Sequence, residues 1–299
     1  MTGQSKLRDR VAIITGASSG IGRATALAFA REGATTVLAS RSREKLNQVA
    51  DQIRAINGRV LVIPTDVSSR EQVNDLIDEA SRELGRIDIL LNNAGSAHVG
   101  PIEDVRFTQD LDKMLSVDFY GAVYGTQAVL PIMKRQGTGH IINMSSVVGY
   151  KAFPMFGGYS ITMHAIKAFS DALRQELHGT GIIVTTVHPA LTRTALFDEV
   201  SPADMPPPFR WMIPLTPESV AAGIVGAVHN KRARVVLPFA PRLMILSDAL
   251  SARSGDLTVR RLSNPRFARL IGMYRSRRAD ASSLEETLGD TVKVSGTGL

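Results

Sequence analysis

Residues 11–30, VAIITGASSGIGRATALAFA, constrain this chain more than any other stretch. The first five are apolar and mostly β-branched, which suits a short strand buried on both faces. Gly16 follows at once, then Ala17, Ser18, Ser19, Gly20, Ile21 and Gly22, and the composition turns to strong helix formers. A strand that passes through a glycine-rich turn into a helix is the context of a dinucleotide site. Gly16 permits the tight turn, while Gly20 and Gly22 let the backbone approach a pyrophosphate and let the helix pack closely on the strand. The helix N-terminus offers unpaired N–H groups and the positive end of a dipole to the phosphates. The alternative is a plain glycine-rich turn.

The alternation then repeats. Residues 34–40 read as a second strand ending in Ser40 and Arg41, where an Asp or Glu would hold the ribose 2′-hydroxyl of NAD. A guanidinium fork suits a 2′-phosphate, which a carboxylate would repel, so NADP (NADPH) is the favoured cofactor. Against this, Arg41, Arg43 and Lys45 could only decorate a helix whose Leu46, Val49 and Ile53 point inward. Residues 59–64 form a third strand, followed by Asp66 and Val67 as an adenine-edge contact. Ser68 to Glu71 reads as a capping box for a helix with Val73, Leu76, Ile77, Ala80 and Leu84 on one face. A fourth strand at 87–91 leads into Asn92, Asn93, Ala94 and Gly95. Strands alternating with helices predict a parallel, doubly wound sheet with ligands at the strands' C-terminal ends.

A helical region over about 108–135 is interrupted by Ser116 to Gly121, and a strand follows at 140–144. Ser146 stands at the end of that strand, and Tyr159 opens a helix reaching about residue 178. Two hydroxyls so placed suit proton transfer. Residues 182–187 form a sixth strand that continues through Pro189 to Thr194. From 195 to 217 the chain is rich in proline and large apolar residues, which predicts an irregular lid over a pocket; a disordered excursion is the alternative.

TGASSGIG at 15–22, Asp66-Val67, NNAG at 92–95, Ser146, Tyr159 and Pro189 through Thr194 together resemble the short-chain dehydrogenase/reductases over roughly residues 7–240. The resemblance implies an α/β fold: a Rossmann-type three-layer αβα sandwich with a seven-stranded parallel sheet, binding NAD(P) and assembling as homodimers or homotetramers. It implies that Tyr159 is the general acid/base and that Ser146 orients the substrate oxygen. The glycine-rich turn with Asn93, Ala94, Gly95, Pro189, Thr192 and Thr194 would hold the cofactor. Hydride transfer to or from an apolar ketone or secondary alcohol, the small-molecule substrate, is the activity expected.

Two positions depart from the family pattern. Its members usually carry Tyr-x-x-x-Lys, and here the fourth residue after Tyr159 is Met163. They usually carry Asn where Asp118 stands. A neighbouring cation lowers an acid's pKa by about 1–3 units, so its loss costs roughly 10- to 1000-fold in the proton-transfer step. Lys167 lies a turn further on, a poor substitute, and an anionic Asp118 would favour the neutral phenol. Three readings stay open: a slow natural reductase, an enzyme with its lysine replaced, or a non-catalytic NADP-binding pseudoenzyme that senses or scaffolds.

The rest of the 299 residues bounds the partners. No apolar run reaches the roughly 18–20 residues a membrane span needs, and the first residues lead straight into a strand without a signal-peptide pattern. Cysteine is absent, which excludes disulfides and is compatible with a cytoplasmic protein. The histidines show no metal-ligand spacing; His98 could edge the pocket, and His164 and His188 fit local hydrogen bonds. Between residues 231 and 278 there are twelve Lys or Arg against two Asp or Glu, in a chain whose formal net charge is +7. Within this basic extension (241–279), Asn264-Pro265 starts a helix with Phe267, Leu270, Ile271 and Tyr274 on one face. That face fits the chain's own pocket or a second subunit, the preferred reading, or else an anionic membrane surface. No motif supports nucleic-acid binding. Residues 280–299 read as a disordered tail.

Overall fold

The computed structural model describes residues 7–198, 200, 205, 207–210, 212–238 and 241–270. The chain runs β1 (Val11–Thr15), α1 (Gly20–Arg31), β2 (Thr35–Ser40), α2 (Arg43–Ala55), β3 (Val60–Pro64), α3 (Arg70–Leu84) and β4 (Ile89–Asn92). It continues through α4 (Phe107–Met114), α5 (Gly121–Gln136), β5 (Gly139–Met144), α6 (Gly157–Glu176), β6 (Ile182–Pro189), α7 (Pro217–His229) and β7 (Arg234–Leu237). Three further helices follow: α8 (Pro241–Leu250), α9 (Ala252–Leu262) and α10 (Pro265–Leu270).

The strands form one parallel seven-stranded sheet in the order β3-β2-β1-β4-β5-β6-β7, the doubly wound α/β arrangement expected. The strands are largely apolar because helices cover both faces, with buried polar exceptions such as Thr36, Asn143 and Thr186. Ala12 and Ile14 of β1 join a core with Phe29, Leu46, Ile53 and Ile224, beneath α1, α2 and α7. Val11 and Ile13 point the other way, into a core with Leu76, Ile77, Val129 and Leu173 beneath α3, α5 and α6. Strand order reverses between β1 and β4, where such a sheet opens a crevice. At the opposite end of these two strands, Asp88 accepts from Val11 N, Arg10 and Arg86 and ties them together.

Three local expectations change. The helix over 107–136 is not broken: a π-helical turn at Leu115–Tyr120 joins α4 to α5, widening the helix at Asp118. The cap of α3 is Ser69, whose hydroxyl accepts from Gln72 N, one residue later than the capping box predicted. Ser68 is already committed, through both N and Oγ, to the Asp66 carboxylate. The extension holds α8 and α9 ahead of the expected helix, which begins as read: Asn264 Oδ1 accepts from Arg266 N. In that helix Phe267 is half-buried and Leu270 exposed, while Ile271, Tyr274 and the tail lie outside the described residues.

Candidate active site

The ends of β5 and β6 and the start of α6 carry the residues expected to transfer the proton. Ser146 follows β5 and caps a 3-10 turn, Val147–Gly149, by accepting from Val148 N at 3.3 Å. Its hydroxyl proton goes to Pro189 O at 3.3 Å, at the end of β6. His188, wholly buried beside it, holds the backbone carbonyl of Ser146 through Nδ1 at 3.1 Å. Tyr159, in the first turn of α6, is buried and lines the same cleft as Ser146. The two hydroxyls, thirteen residues apart in sequence, are therefore brought together.

Burial pushes the Tyr159 phenol well above the ordinary tyrosine range, and the charge of Asp118 adds to the rise; the Ser146 hydrogen bond opposes it. Asp118, in the π turn, accepts from Ser96 N at 2.7 Å and Ser96 Oγ at 3.2 Å through Oδ1. Its Oδ2 is buried without a partner among the described residues. Burial drives this carboxyl well above the usual carboxylate range. Burial is the larger of the two causes, so it is the main reason Tyr159 holds its proton.

Met163 is buried one turn after Tyr159 and lines the same cleft. Among the described residues no lysine figures among the groups acting on the Tyr159 phenol. Lys167 turns away, its Nζ 3.1 Å from Asp171 and 5.3 Å from the centroid of the Tyr150 ring.

The centre opens into a cleft of about 900 Å³ that continues over the glycine-rich turn. Gly16 has φ +64°, and a Cβ there would lie 2.9 Å from Ala94 Cα; a Cβ on Gly22 would lie 2.2 Å from Gly16 O. Only glycine fits at either place. Thr15 Oγ1 accepts from the backbone N–H of Asn93 and Ala94, and Asn93 Nδ2 donates back to Thr15 O, locking the two turns together. Ser19 makes no capping hydrogen bond, so the first N–H groups of α1 face the cleft unclaimed by it. Ser18, Gly20 and Ile21 line that part of the cleft, with Gly95, Thr192 and Thr194 across from them. At the far end stand Ser40, whose buried Oγ has no partner among the described residues, and Arg41. Asp66 and Val67 also line it, the Asp66 carboxyl held below its ordinary range by the Ser68 hydrogen bonds.

Above Tyr159 the wall is aromatic. Phe197, in the first part of the 195–217 segment, meets Tyr159 edge-on at 6.0 Å, and Phe209 meets Phe156 edge-on at 4.8 Å. Met244 of α8 and Val259 of α9 are buried in the same cluster. Lys151 Nζ bonds Asp248 at 2.8 Å and Asp256 at 2.7 Å, which pins the α8–α9 hairpin beside this wall.

The sequence profile of short chain dehydrogenases matches residues 10–204. The chain belongs to the short-chain dehydrogenase/reductase family. An uncharacterized oxidoreductase of Staphylococcus aureus (strain USA300) is 37% identical over 226 residues, covering 76% of this chain and 94% of the relative. One from Staphylococcus saprophyticus is 37% identical over 203 residues, covering 67% and 81%. A Burkholderia phymatum short chain dehydrogenase/reductase, solved in complex with NAD, superposes with a TM-score of 0.74 at 27% identity, covering 87% of this chain and 98% of that one. Levodione reductase superposes at 0.68, also 27% identical, covering 77% and 96%.

Relative to the family pattern, every residue singled out for cofactor or chemistry borders the one cleft except Gly22, which is packed beneath it. Sequence reasoning passed over Met114 and Phe156, and it named Lys45 only in the alternative reading as helix decoration; all three line the cleft, as does Phe209 of the expected lid. Lys45 had a signal: it stands in the first turn of the helix that follows Arg41. Phe156 had none, since it meets Phe209 only in the folded chain. His98 edges the cleft as read, 3.3 Å from Asp110, and His164 satisfies Ser160 O at 2.8 Å. No metal-binding cluster occurs among the described residues.

Proposed function

We propose that this oxidoreductase-family chain is an NADP(H)-dependent carbonyl reductase or secondary-alcohol dehydrogenase for apolar substrates, slowed by Met163. The observation that carries the reading is that Ser146 and Tyr159 line the same cleft as the glycine cradle. The cradle, the unclaimed N–H groups of α1 and the orphaned Ser40 hydroxyl fit a dinucleotide. Arg41 and Lys45 at its far end favour a 2′-phosphate. When bound, the nicotinamide supplies or accepts the hydride.

The residues of the chain supply the rest. Ser146 turns its hydroxyl from Pro189 O to the substrate oxygen and fixes its direction. Tyr159 gives that oxygen a proton in reduction and takes it back in oxidation. A buried phenol with no cation beside it donates weakly, because the phenolate it leaves is poorly solvated. Phe156, Phe197 and Phe209 exclude water and favour an apolar substrate.

That same burial of Tyr159 beside Met163 favours a second reading, a non-catalytic NADP-binding protein. NADPH consumption over a panel of ketones, by the native chain, Met163→Lys and Tyr159→Phe, separates the two. Activity that rises with the lysine and vanishes with the phenylalanine supports the oxidoreductase. Tight NADPH binding without turnover in all three supports the second reading.

A further inference from the structure

We propose that the outward face of the α8–α9 hairpin docks on an anionic lipid surface. The hairpin has two unlike faces. The inner one packs Met244 and Val259 against the aromatic wall of the cleft. The outer one exposes Leu246 (60%) and Leu250 (78%), one turn apart on α8, and Leu257 (47%) on α9. Exposed leucines at this density stand out on a chain whose other apolar side chains are mostly packed away.

Charge decides what covers them. Between residues 231 and 278 the only acidic residues are Asp248 and Asp256, and both are taken by Lys151. One lysine offsets one of these two carboxylates, so the exposed Arg253, Arg260 and Arg261, a helical turn to either side of Leu257 on α9, leave the hairpin with a surplus of positive charge. Arg260 acts on Asp256 only at a distance. A second copy of this face would bring arginines against arginines, which repels. A nucleic acid would use the arginines but gain little from three leucines. A bilayer carrying acidic headgroups uses both: the arginines meet phosphates and carboxylates, and the leucines enter the headgroup–acyl boundary. No described helix is long and apolar enough to cross a membrane, so the hairpin lies on the surface. The inner face then places the apolar cleft next to the lipid.

The test is flotation of the full-length chain with vesicles of phosphatidylcholine alone and of phosphatidylcholine with phosphatidylserine. Since no turnover is read, the outcome is independent of whether the chain is catalytic. Binding is expected only to the acidic vesicles and weakens as salt is raised. The triple variant Arg253→Gln/Arg260→Gln/Arg261→Gln should bind about 100-fold more weakly. Leu246→Ser/Leu250→Ser/Leu257→Ser should lose about tenfold or more, with unchanged circular dichroism. Equal binding to both vesicle types, no binding to either, or indifference to the arginine variant would overturn the proposal. So would leucine-dependent dimerisation in sedimentation equilibrium, or RNA binding, in place of vesicle binding.

Discussion

Ser145 Oγ donates a 2.9 Å hydrogen bond to the carbonyl oxygen of Met163. Gly149 closes on the same carbonyl, where a Cβ would come within 2.8 Å. The backbone that carries residue 163 is thus fixed by the turn that carries Ser146, whatever the side chain. Met163→Lys should therefore place an ammonium in the existing cleft rather than remodel it. Turnover with NADPH is expected to rise about 10- to 1000-fold, since a nearby cation lowers an acid's pKa by about 1–3 units. Ser145→Ala in that background should lose part of the gain and about 1 kcal/mol of stability in urea titrations. An unchanged rate across a broad ketone panel would remove the missing-cation explanation.

On the proposed reading, cofactor choice rests on Arg41 and Lys45, which line the far end of the cleft. Arg41→Ala should weaken NADPH about 10- to 100-fold by fluorescence titration, the range of a lost charge-assisted hydrogen bond, and leave NADH nearly unchanged. Lys45→Ala should act in the same direction with a smaller effect, because a flexible ammonium loses less directional bonding than a guanidinium fork. Equal losses for the two cofactors would mean that neither residue meets a 2′-phosphate.

Two buried histidines set a pH limit on stability. Burial lowers His140 and His188 to about 4, from an ordinary value near 6.5. The unfolded chain binds the extra protons, so the stability these groups contribute is complete above about pH 6.5 and falls as pH drops toward 4. Each contributes up to about 3 kcal/mol by this linkage. Urea midpoints between pH 7 and pH 4 should therefore slope downward, and the slope should shrink in His140→Gln. That side chain bonds Thr185 Oγ1 at 2.7 Å and touches no part of the cleft, so the change is read on stability alone. A slope identical in the variant would place the titration elsewhere.

The sheet and the cradle were legible because their signals are local. Gly16, Gly20 and Gly22 fall at spacings set by one turn, and apolar runs such as 11–15 and 35–39 report burial on both faces. Met163 was legible for the same reason, standing one helical turn from Tyr159. What stayed hidden depends on distant pairs. The π turn at Asp118 shifts the helical period within 107–136, so it reads as an interruption rather than a widening. The roof over the cleft joins Phe156, Phe209 and Val259, and nothing within any of their segments announces the others. The cap of α3 slipped by one residue because Ser68 answers to Asp66, a competition that composition alone leaves open.

Lys151 is the longest-range of these hidden links, bonding Asp256 across 105 residues. Its ammonium is largely covered, and both carboxylates it meets belong to the hairpin. Removing it leaves Asp248 and Asp256 close together without a cation, so the hairpin should loosen from the cleft while the sheet stays intact. Lys151→Ala is expected to speed tryptic cleavage after Arg253 and Arg260 by about 5- to 30-fold, the factor for about 1–2 kcal/mol of local opening. The urea midpoint of the sheet should move little. The double variant Asp248→Asn/Asp256→Asn, which removes the repulsion along with the pair, should be cut more slowly than Lys151→Ala. Cleavage rates equal to the native chain in both variants would show that the apolar contacts of Met244 and Val259 hold the hairpin unaided.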